Sequence, residues 1–252
     1  MDFQNKKIIA FDMDGTLTES KADLDSEMAR LIRQLLQKKL VAVMGGASFV
    51  QFQKQFLNIL NATSAELKNL LIFATSAAAF YRYDGIKWNN VYEKSLTTED
   101  EIKIKIAFEE ALREINYKKP EKQYGEIIQN LGTQVTFSAL GQAAPLSEKQ
   151  EWHDNSDCRE AIRIALENLI PEFEVRIGGL TSMNVTKKGI DKAYGIMQME
   201  RLLKIPKENI IFIGDALYVG GNDYPVKRAG VETIQVSGPE DTKQIIKSII
   251  ND

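Results

Sequence analysis

Apolar residues in this chain alternate between short continuous runs and longer stretches in which they recur every three or four positions. The runs Ile8–Phe11, Val41–Met44, Leu70–Phe73 and Ile210–Ile213 are apolar on both faces, which is typical of buried strands in a parallel sheet. The stretches between them have a helical period, as in Asp25–Lys39. Further helices are expected at Phe49–Leu60 and Ile190–Leu203. Strands separated by helices at this spacing predict an α/β fold with a doubly wound, Rossmann-like parallel sheet.

The pattern changes in the middle of the chain. Asp84-Gly85 has the composition of a hairpin turn between Phe80–Tyr83 and Ile86–Trp88, and Gln134–Ala139 alternates as a half-buried strand does. Helices are expected at Glu99–Ile115 and Asp157–Leu169, and the polar run Trp152–Asp157 is expected to be a loop.

The length of the chain, 252 residues, suits one large domain or two unequal ones, and a hydrophobic content of 44% is enough for a substantial core. Because mixed strand and helix content interrupts an α/β run, we expect residues 1–83 and 187–252 to form a catalytic core. Residues 84–186 are expected to form an inserted α+β cap domain.

Composition argues against several classes of function. Lys and Arg total 32 against 35 Asp and Glu, so the formal charge of −3 gives no support for a nucleic-acid partner. The lone cysteine, Cys158, excludes an internal disulfide, and the lone histidine, His153, argues against a histidine-rich zinc site or a Ser-His-Asp triad. No apolar run approaches the length of a membrane span and the start shows no secretory signal, so we expect a cytoplasmic protein with no membrane partner.

Two carboxylates stand at the end of the first predicted strand. Asp12 closes the apolar run, and Asp14 follows two residues later, just before a Gly-Thr turn. A spacing of two lets both side chains point into the crevice where open α/β sheets bind their ligands. Paired carboxylates suit a hard cation such as Mg²⁺. The alternative is an ordinary Asp-Gly turn after a strand.

The last long apolar run also ends in a carboxylate, Asp215, and a glycine-rich turn with Asn222 and Asp223 follows it. Carboxylates from the two strand ends would repel one another strongly unless a cation lay among them. We therefore expect a Mg²⁺ site with Asp12, Asp215 and the Asp14 backbone carbonyl as direct ligands. Asp223 or Asn222 would bind directly or through water. Asp223 could equally cap the next helix.

Two further residues could act on an anion near this crevice. Lys192 lies on the first turn of the helix that follows Gly189, where it could neutralise a phosphoryl group in transfer. The alternative is a solvated lysine on a helix surface. Ser48, near the start of the helix after the second strand, could supply a hydroxyl or an N–H group to an anion, or could simply cap that helix.

In this order the motifs resemble those of the haloacid-dehalogenase superfamily of phosphotransferases. The matching segments are Asp12–Thr16, Gly45–Ser48, Lys192 and Gly214–Asp223, and together they span the chain. The insertion resembles the large α/β cap of the branch that contains Cof-like sugar phosphatases, sucrose-phosphate phosphatase and eukaryotic-type phosphomannomutase. Further segments, Gly178-Gly179 and Pro239–Thr242, look similar to phosphomannomutase.

The resemblance implies a mechanism that needs Mg²⁺. Asp12 would be the nucleophile that becomes an aspartyl phosphate, and Asp14 would be the general acid and then the general base. The residues implied to hold the phosphoryl oxygens are Thr16, Lys192, Gly46 and Ser48. The cap would close over the site, exclude water and select the substrate, as lid domains do. Many relatives of this type pair through their caps, so a homodimer is a possible assembly.

The sequence departs from phosphomannomutase where that family holds a second phosphate with arginines of the cap. Asn130 and Gln142 align with two of those arginines, and Lys21 aligns with a core arginine after the first motif. Asn184 replaces an aspartate that contacts the sugar, although Ser182 is kept. The cations that could compensate are Arg159, Arg163, Arg176 and Lys188.

Without the cap arginines, the second phosphate of a mutase substrate would lack its bidentate hydrogen bonds. We therefore favour a Mg²⁺-dependent phosphohydrolase acting on a sugar phosphate or a similar small phosphomonoester. The residues expected to contact the sugar are Asn130, Gln134, Gln142, Ser182 and Asn184, unless they are polar residues of an exposed cap face. A phosphohexomutase of the phosphomannomutase type is the alternative, and a non-catalytic protein that binds phosphosugars is a second alternative.

Overall fold

The computed structural model describes residues 3–20 and 22–252, so Lys21 lies outside the described residues. The chain divides into two compact units. The first contains the chain up to Glu93 together with Asp191–Asp252, and the second is Lys94–Ile190.

The strands, in chain order, are β1 (Ile8–Asp12), β2 (Leu40–Met44), β3 (Leu70–Ala74), β4 (Ala79–Tyr83), β5 (Trp88–Glu93), β6 (Ile128–Asn130), β7 (Val135–Ser138), β8 (Phe173–Ile177), β9 (Ser182–Lys187), β10 (Ile210–Gly214) and β11 (Glu232–Gln235). The α-helices are α1 (Ser26–Leu36), α2 (Phe49–Phe52), α3 (Asn58–Leu60), α4 (Ser64–Leu67), α5 (Thr98–Glu114), α6 (Leu146–Ser156), α7 (Arg159–Leu169), α8 (Lys192–Leu203), α9 (Tyr224–Arg228) and α10 (Pro239–Asn251). A π-helix, Gln53–Leu57, joins α2 to α3, so the helix predicted over Phe49–Leu60 is continuous but not uniformly α. Among the described residues, no helix is both long and apolar enough to cross a membrane.

The first unit is built on a seven-stranded sheet in the order β11-β10-β1-β2-β3-β4-β5, whose first five strands are parallel. Alternate residues of β1 enter opposite layers of the core: Ile9 and Phe11 pack on one face, Ile8 and Ala10 on the other. Burial on both faces explains why these strands are continuous apolar runs. The predicted α/β class is confirmed.

The order of the strands places the acidic strand ends side by side. Strand β1 pairs in parallel with β10 on one side and β2 on the other, with Asp12 opposite Met44. Asp215 directly follows β10. The carboxyl ends of these strands therefore lie along one edge of the sheet, next to the point where the strand order reverses.

The hairpin around Asp84-Gly85 belongs to the first unit, not to the insertion. Strand β4 pairs antiparallel with β3 and with β5, and Asp84 accepts hydrogen bonds from the N–H groups of Ile86 and Lys87 in the turn. The boundary expected between residues 83 and 84 therefore falls inside a hairpin whose two strands continue the large sheet. The second unit begins at Lys94 and ends at Ile190 rather than at residue 186.

The second unit has an antiparallel four-stranded sheet in the order β6-β7-β9-β8. Its apolar face carries Phe137, Met183 and Val185, which pack with residues of α5 and α7. The loop expected at Trp152–Asp157 is wrong, because α6 extends to Ser156. This helix buries only Lys149 and Trp152, so its sequence lacks the apolar period that would have predicted it.

Candidate active site

Three carboxylates converge at the edge of the large sheet. Asp12, Asp215 and Asp223 each place one oxygen within 4.8 Å of the others. Strand β1 delivers Asp12, β10 delivers Asp215, and Asp223 lies in the turn before α9. A Cβ atom on Gly214 would lie 2.3 Å from Oδ2 of Asp223, so this close approach requires a glycine.

Lys192 lies among these acids. It is the first residue of α8, its side chain is 3% exposed, and its Nζ lies 2.5 Å from Oδ1 of Asp12 and 2.5 Å from Oδ1 of Asp223. The alternative of a solvated lysine is therefore wrong. Asp223 also accepts a hydrogen bond from the N–H of Ala216 at 3.1 Å, and it makes no side-chain cap to α9 among the described residues.

Burial controls the ionisation of this cluster. It raises the pKa of Asp12 to about 7 and that of Asp223 to about 6, although the Lys192 ammonium opposes both shifts. Burial and the charge of Asp223 raise the pKa of Asp215. For Lys192, burial favours the neutral amine, but the two carboxylates outweigh it and the pKa is raised. The site therefore holds more negative charge than one ammonium can balance.

The donor atoms fit a hard cation. Three carboxylates supply oxygens, and the side-chain Oδ1 of Asn222 is buried without a hydrogen-bond partner among the described residues. Carboxylate and amide oxygens are the ligands that Mg²⁺ prefers. Asp14 is half-buried, and its charge contributes to raising the pKa of Asp12, but its carboxylate is not among the three that converge. The three converging carboxylates are therefore those of Asp12, Asp215 and Asp223, and the carboxylate of Asp14 lies outside that group.

The turn after β1 packs against Asp215. Thr16 is fully buried and donates its hydroxyl to Oδ1 of Asp215 at 3.3 Å. Gly15 has φ +86°, and a Cβ atom there would lie 2.7 Å from Oδ2 of Asp215. The Gly-Thr pair of the motif is thus explained by backbone conformation and by contact with the second acidic strand end.

The loop after β2 carries the predicted phosphate-binding residues Gly46 and Ser48. The Ser48 hydroxyl accepts from the N–H of Gln51, and the Gln51 side chain accepts from the N–H of Ser48, which is a capping box. The alternative of a helix cap therefore describes Ser48 in this structure. Gly46 lies two residues beyond Met44, the strand partner of Asp12.

A left-handed turn holds this loop in place. Thr75, Ser76 and Ala77 are three consecutive non-glycine residues at φ +49°, +57° and +68°. The N–H of Thr75 donates to the carbonyl of Ala47 at 2.9 Å, and the N–H of Ser76 donates to that of Gly45 at 2.8 Å. Such conformations are uncommon away from functional sites.

In the second unit, the polar face of the sheet joins two of the predicted substrate residues. Nε2 of Gln134 donates to Oδ1 of Asn184 at 3.1 Å and to the hydroxyl of Thr136 at 2.8 Å, and Thr136 also donates to Asn184. Ser182 lies two residues before Asn184 on the same face of β9, and its hydroxyl is buried without a partner among the described residues. Thr136 was missed, although alternation along β7 places it on this face.

Two other residues predicted to contact the substrate, Asn130 and Gln142, lie outside strands β7 and β9. Asn130 pairs with Val135 on the opposite, apolar face, and its side chain accepts the N–H of Gly132 in a turn, so the structure does not bring it to the polar face. Gln142 is half-buried in the loop after β7. Sequence reasoning also missed Lys149, a buried cation on α6 that no apolar period marks.

The cations considered as replacements for cap arginines already have protein partners. Arg163 pairs with Glu160 and Glu167 along α7, and Arg176 pairs with Glu174 on β8 at 2.5 Å. Lys188 donates to the carbonyl of Phe173 at 3.3 Å. Arg159 is buried in an ion pair with Asp157.

A family model described as "Eukaryotic phosphomannomutase" matches residues 28–252. The chain belongs to the eukaryotic phosphomannomutase family. The phosphomannomutase of Encephalitozoon cuniculi is 26% identical over 244 residues, which cover 94% of this chain and 91% of that protein. The phosphomannomutase of Spinacia oleracea is 27% identical over 244 residues, covering 93% of this chain and 92% of that protein.

Solved structures share the fold. An IMP-nucleotidase of Plasmodium falciparum has a TM-score of 0.73 at 23% identity, with 99% of this chain and 68% of that chain covered. A trehalose-6-phosphate phosphatase of Aspergillus fumigatus has a TM-score of 0.55 at 16% identity, with 98% and 94% covered. The family match and the shared fold make this chain an enzyme of the haloacid-dehalogenase phosphotransferase type. The preference for a phosphohydrolase is not confirmed, since phosphomannomutase relatives favour the mutase alternative.

Proposed function

We propose that this protein is a Mg²⁺-dependent phosphohexomutase that interconverts hexose 1-phosphate and hexose 6-phosphate. The observation that carries the proposal is the buried contact of Lys192 with Asp12 and Asp223 in a chain that the phosphomannomutase model matches over residues 28–252. This proposal replaces the phosphohydrolase that the missing cap arginines favoured.

In the proposed reaction, a carboxylate oxygen of Asp12 attacks the phosphorus of a hexose bisphosphate activator. The bond from phosphorus to the sugar oxygen breaks, and Asp14 gives its proton to that leaving oxygen. A hexose monophosphate then attacks the aspartyl phosphate through its free hydroxyl, which Asp14 deprotonates. This step restores the Asp12 carboxylate and forms a bisphosphate, so atoms and protons balance over the cycle.

The other residues of the site support this chemistry. The Lys192 ammonium touches Asp12 and supplies positive charge where the phosphoryl oxygens gather. Asp12, Asp215, Asp223 and Asn222 would hold Mg²⁺, which when bound screens the carboxylate from the anionic substrate and stabilises the transferring group. Gly46 is still proposed to lie beside the phosphate, whereas the N–H and the hydroxyl of Ser48 are engaged in the capping box with Gln51, which leaves Ser48 the role of holding the start of α2.

The second unit is proposed to select the sugar, with Gln134, Asn184 and Ser182 as its contacts. These side chains are neutral and share one face of the small sheet, which suits hydroxyl groups.

The test measures two products at once. The purified protein is given glucose 1-phosphate or mannose 1-phosphate with Mg²⁺, with and without the matching 1,6-bisphosphate, and both 6-phosphate and free phosphate are followed. Isomerisation that depends on the bisphosphate and exceeds release supports the mutase. Rapid release without isomerisation would instead establish the phosphohydrolase.

A single variant tests the nucleophile. Asp12→Asn is expected to lower either reaction by at least about a thousandfold, because the covalent route is lost. Circular dichroism would check that the fold is kept. Undiminished turnover in this variant would contradict the mechanism for both reactions, and binding of phosphosugars without any turnover in the unaltered protein would favour a non-catalytic binder.

A further inference from the structure

A buried arginine in the second unit bonds three separate segments. Arg159, which is 5% exposed, is the first residue of α7, and its Nε and Nη2 donate to the two oxygens of Asp157 at 2.8 and 2.6 Å. Nη2 also lies 2.9 Å from Nδ1 of His153 on α6. Nη1 donates to the carbonyls of Gly178 and Gly179, which form the turn between β8 and β9.

In the β8–β9 turn, the carbonyl of Gly179 accepts its shorter hydrogen bond from Arg159. The N–H of Gly178 donates to the carbonyl of Ser182 at 2.9 Å, but the return bond from the N–H of Ser182 to the carbonyl of Gly179 is long, at 3.5 Å. The Arg159 guanidinium is the closer partner of the Gly179 carbonyl. Without Arg159, the turn would keep only one short bond between its two strands at this end.

The same turn lies against two residues proposed to bind the sugar. A Cβ atom on Gly178 would lie 3.3 Å from Nδ2 of Asn184 and 3.4 Å from Cβ of Ser182. The Ser182 hydroxyl is buried without a partner among the described residues, so it is available to a ligand. A small shift of the turn would therefore displace atoms that pack against the side chains of Ser182 and Asn184.

Stability alone is a poor reason for an arginine at this position. A cation on the first turn of a helix opposes the helix dipole, and buried ion pairs can often be replaced by apolar residues without loss of stability. What an apolar residue cannot supply is the planar set of donors that reaches Asp157, His153 and two turn carbonyls together.

We propose that Arg159 is a positioning residue for substrate selection, which fixes the Gly178-Gly179 turn and through it Ser182 and Asn184. It touches neither the substrate nor the reacting atoms. The inference rests on the proposed function in one respect, since it takes the sugar to be bound by the polar face of the small sheet.

The test compares Arg159→Met with Arg163→Met. Arg163 lies four residues later on the same helix and pairs with Glu160 and Glu167, so it is a matched control. Each variant is assayed with the best hexose phosphate and with acetyl phosphate, which carries no sugar. For Arg159→Met we expect KM for the hexose phosphate to rise about 10- to 100-fold, because misplaced binding groups are costly. Its kcat/KM for acetyl phosphate and all values for Arg163→Met should stay within about twofold of the unaltered protein.

Two milder variants keep the test decisive if Arg159→Met does not fold. Asp157→Asn removes the charge that orients the guanidinium, and Arg159→Lys keeps the charge without the planar donors. Both are expected to raise KM for the hexose phosphate by a smaller factor, again with acetyl phosphate unaffected. Equal losses on the two substrates, or no loss on either, would overturn the inference.

The outcome is separate from that of the proposed function. Consumption of the hexose phosphate is followed whether the product is the isomer or free phosphate, so a protein that proves to be a phosphohydrolase still tests Arg159. Absence of isomerisation would overturn the mutase alone, and an unchanged KM in the Arg159 variants would overturn the positioning role alone.

Discussion

The ammonium of Lys192 lies 2.5 Å from the carboxylate of Asp12, although 180 residues separate them in the chain. The contact joins the first residue of α8 to the last residue of β1, and both side chains are almost fully buried. Because the same ammonium also touches Asp223, one lysine links the candidate nucleophile to the turn before α9. Little solvent is present to screen these charges.

Removal of this lysine should lower both stability and activity. For Lys192→Met in metal-free buffer, we expect a loss of about 3–5 kcal/mol in the free energy of unfolding, because buried carboxylates lose their partner. The value of kcat should fall by about 100-fold or more. Urea unfolding and steady-state kinetics measure the two effects. Lys247→Met is the control, since Lys247 pairs with Glu27 at the surface and should lose no more than about 1 kcal/mol.

Magnesium should stabilise the unaltered protein through Asp215. A ligand that binds the folded state at 100 times its Kd adds about 2.7 kcal/mol, so Tm should rise on addition of MgCl₂ and return on addition of EDTA. In Asp215→Asn the rise should be much smaller, because one of the three converging carboxylates is gone. Asp241→Asn, which alters an exposed carboxylate paired with Ser237, should respond as the unaltered protein does. An equal rise in all three proteins would contradict the metal site.

Ser182→Ala should separate stability from substrate binding. The Ser182 hydroxyl is buried without a partner among the described residues, and such a group costs about 1–3 kcal/mol, so its removal should leave Tm unchanged or higher. KM for the hexose phosphate should nevertheless rise by about tenfold. Ser138→Ala is a matched contrast: Ser138 pairs with Ser182 across the strands, but its hydroxyl donates to the carbonyl of Gly141. That variant should lose stability instead. A fall in Tm for Ser182→Ala with unchanged KM would contradict the assignment.

Gly195 should be intolerant of even one methyl group. A Cβ atom there would lie 2.9 Å from Cβ of Ala77 and 3.0 Å from Cε of Met44, so Gly195→Ala should push α8, and Lys192 with it, away from the sheet. Overpacking costs about 1–3 kcal/mol, which outweighs the gain of about 1 kcal/mol in helix propensity. We expect a lower Tm and a lower kcat. Gly238→Ala is the control, because its backbone is extended and no described atom lies within 4 Å of the added carbon. Unchanged kcat in Gly195→Ala would show that α8 can move without displacing Lys192.

The Asp157–Arg159 pair should make the free energy of unfolding depend on pH in the acidic range. Burial opposes ionisation of Asp157, but hydrogen bonds and charge from Arg159, with a smaller contribution from His153, outweigh it and lower its pKa. A carboxyl with a lowered pKa stabilises the folded state above the ordinary value for aspartate, about 3.9, and loses that contribution as the pH falls through the folded value. As the pH is lowered from about 5 to about 3, Tm should therefore fall more steeply for the unaltered protein than for Asp157→Asn. Parallel curves for the two proteins would contradict the argument.

The sequence predicted the acidic strand ends well because a parallel sheet imposes them. Once β1 and β10 are identified as buried parallel strands, their carboxyl ends must share one edge of the sheet. The proximity of Asp12 and Asp215 can therefore be predicted from the sequence alone. Lys192 was harder to predict, since a lysine on the first turn of a helix is usually solvated. The functional role of Lys192 is indicated by the order of the motifs along the chain and not by the local pattern of residues.

Where the structure differs from expectation, the feature concerned is one that the local pattern of residues does not encode. Helix α6 buries two residues, so its polar composition was indistinguishable from a loop. Asn130 was placed by alignment, but the antiparallel register pairs it with Val135 on the other face. A shift of one residue in a strand exchanges the faces, and register is set by long-range pairing that one sequence does not show.

The left-handed turn at Thr75–Ala77 has a consequence for how this protein can evolve. Each L-residue in that conformation costs about 1–2 kcal/mol relative to the right-handed region, and three occur in succession here. This strain lies in a segment whose N–H groups hold the loop that carries Gly46. Replacement of one of these three residues by glycine or asparagine, which adopt this conformation at lower cost, should therefore raise the thermal stability of the protein. Adaptation to heat could use this route without altering any acid of the site.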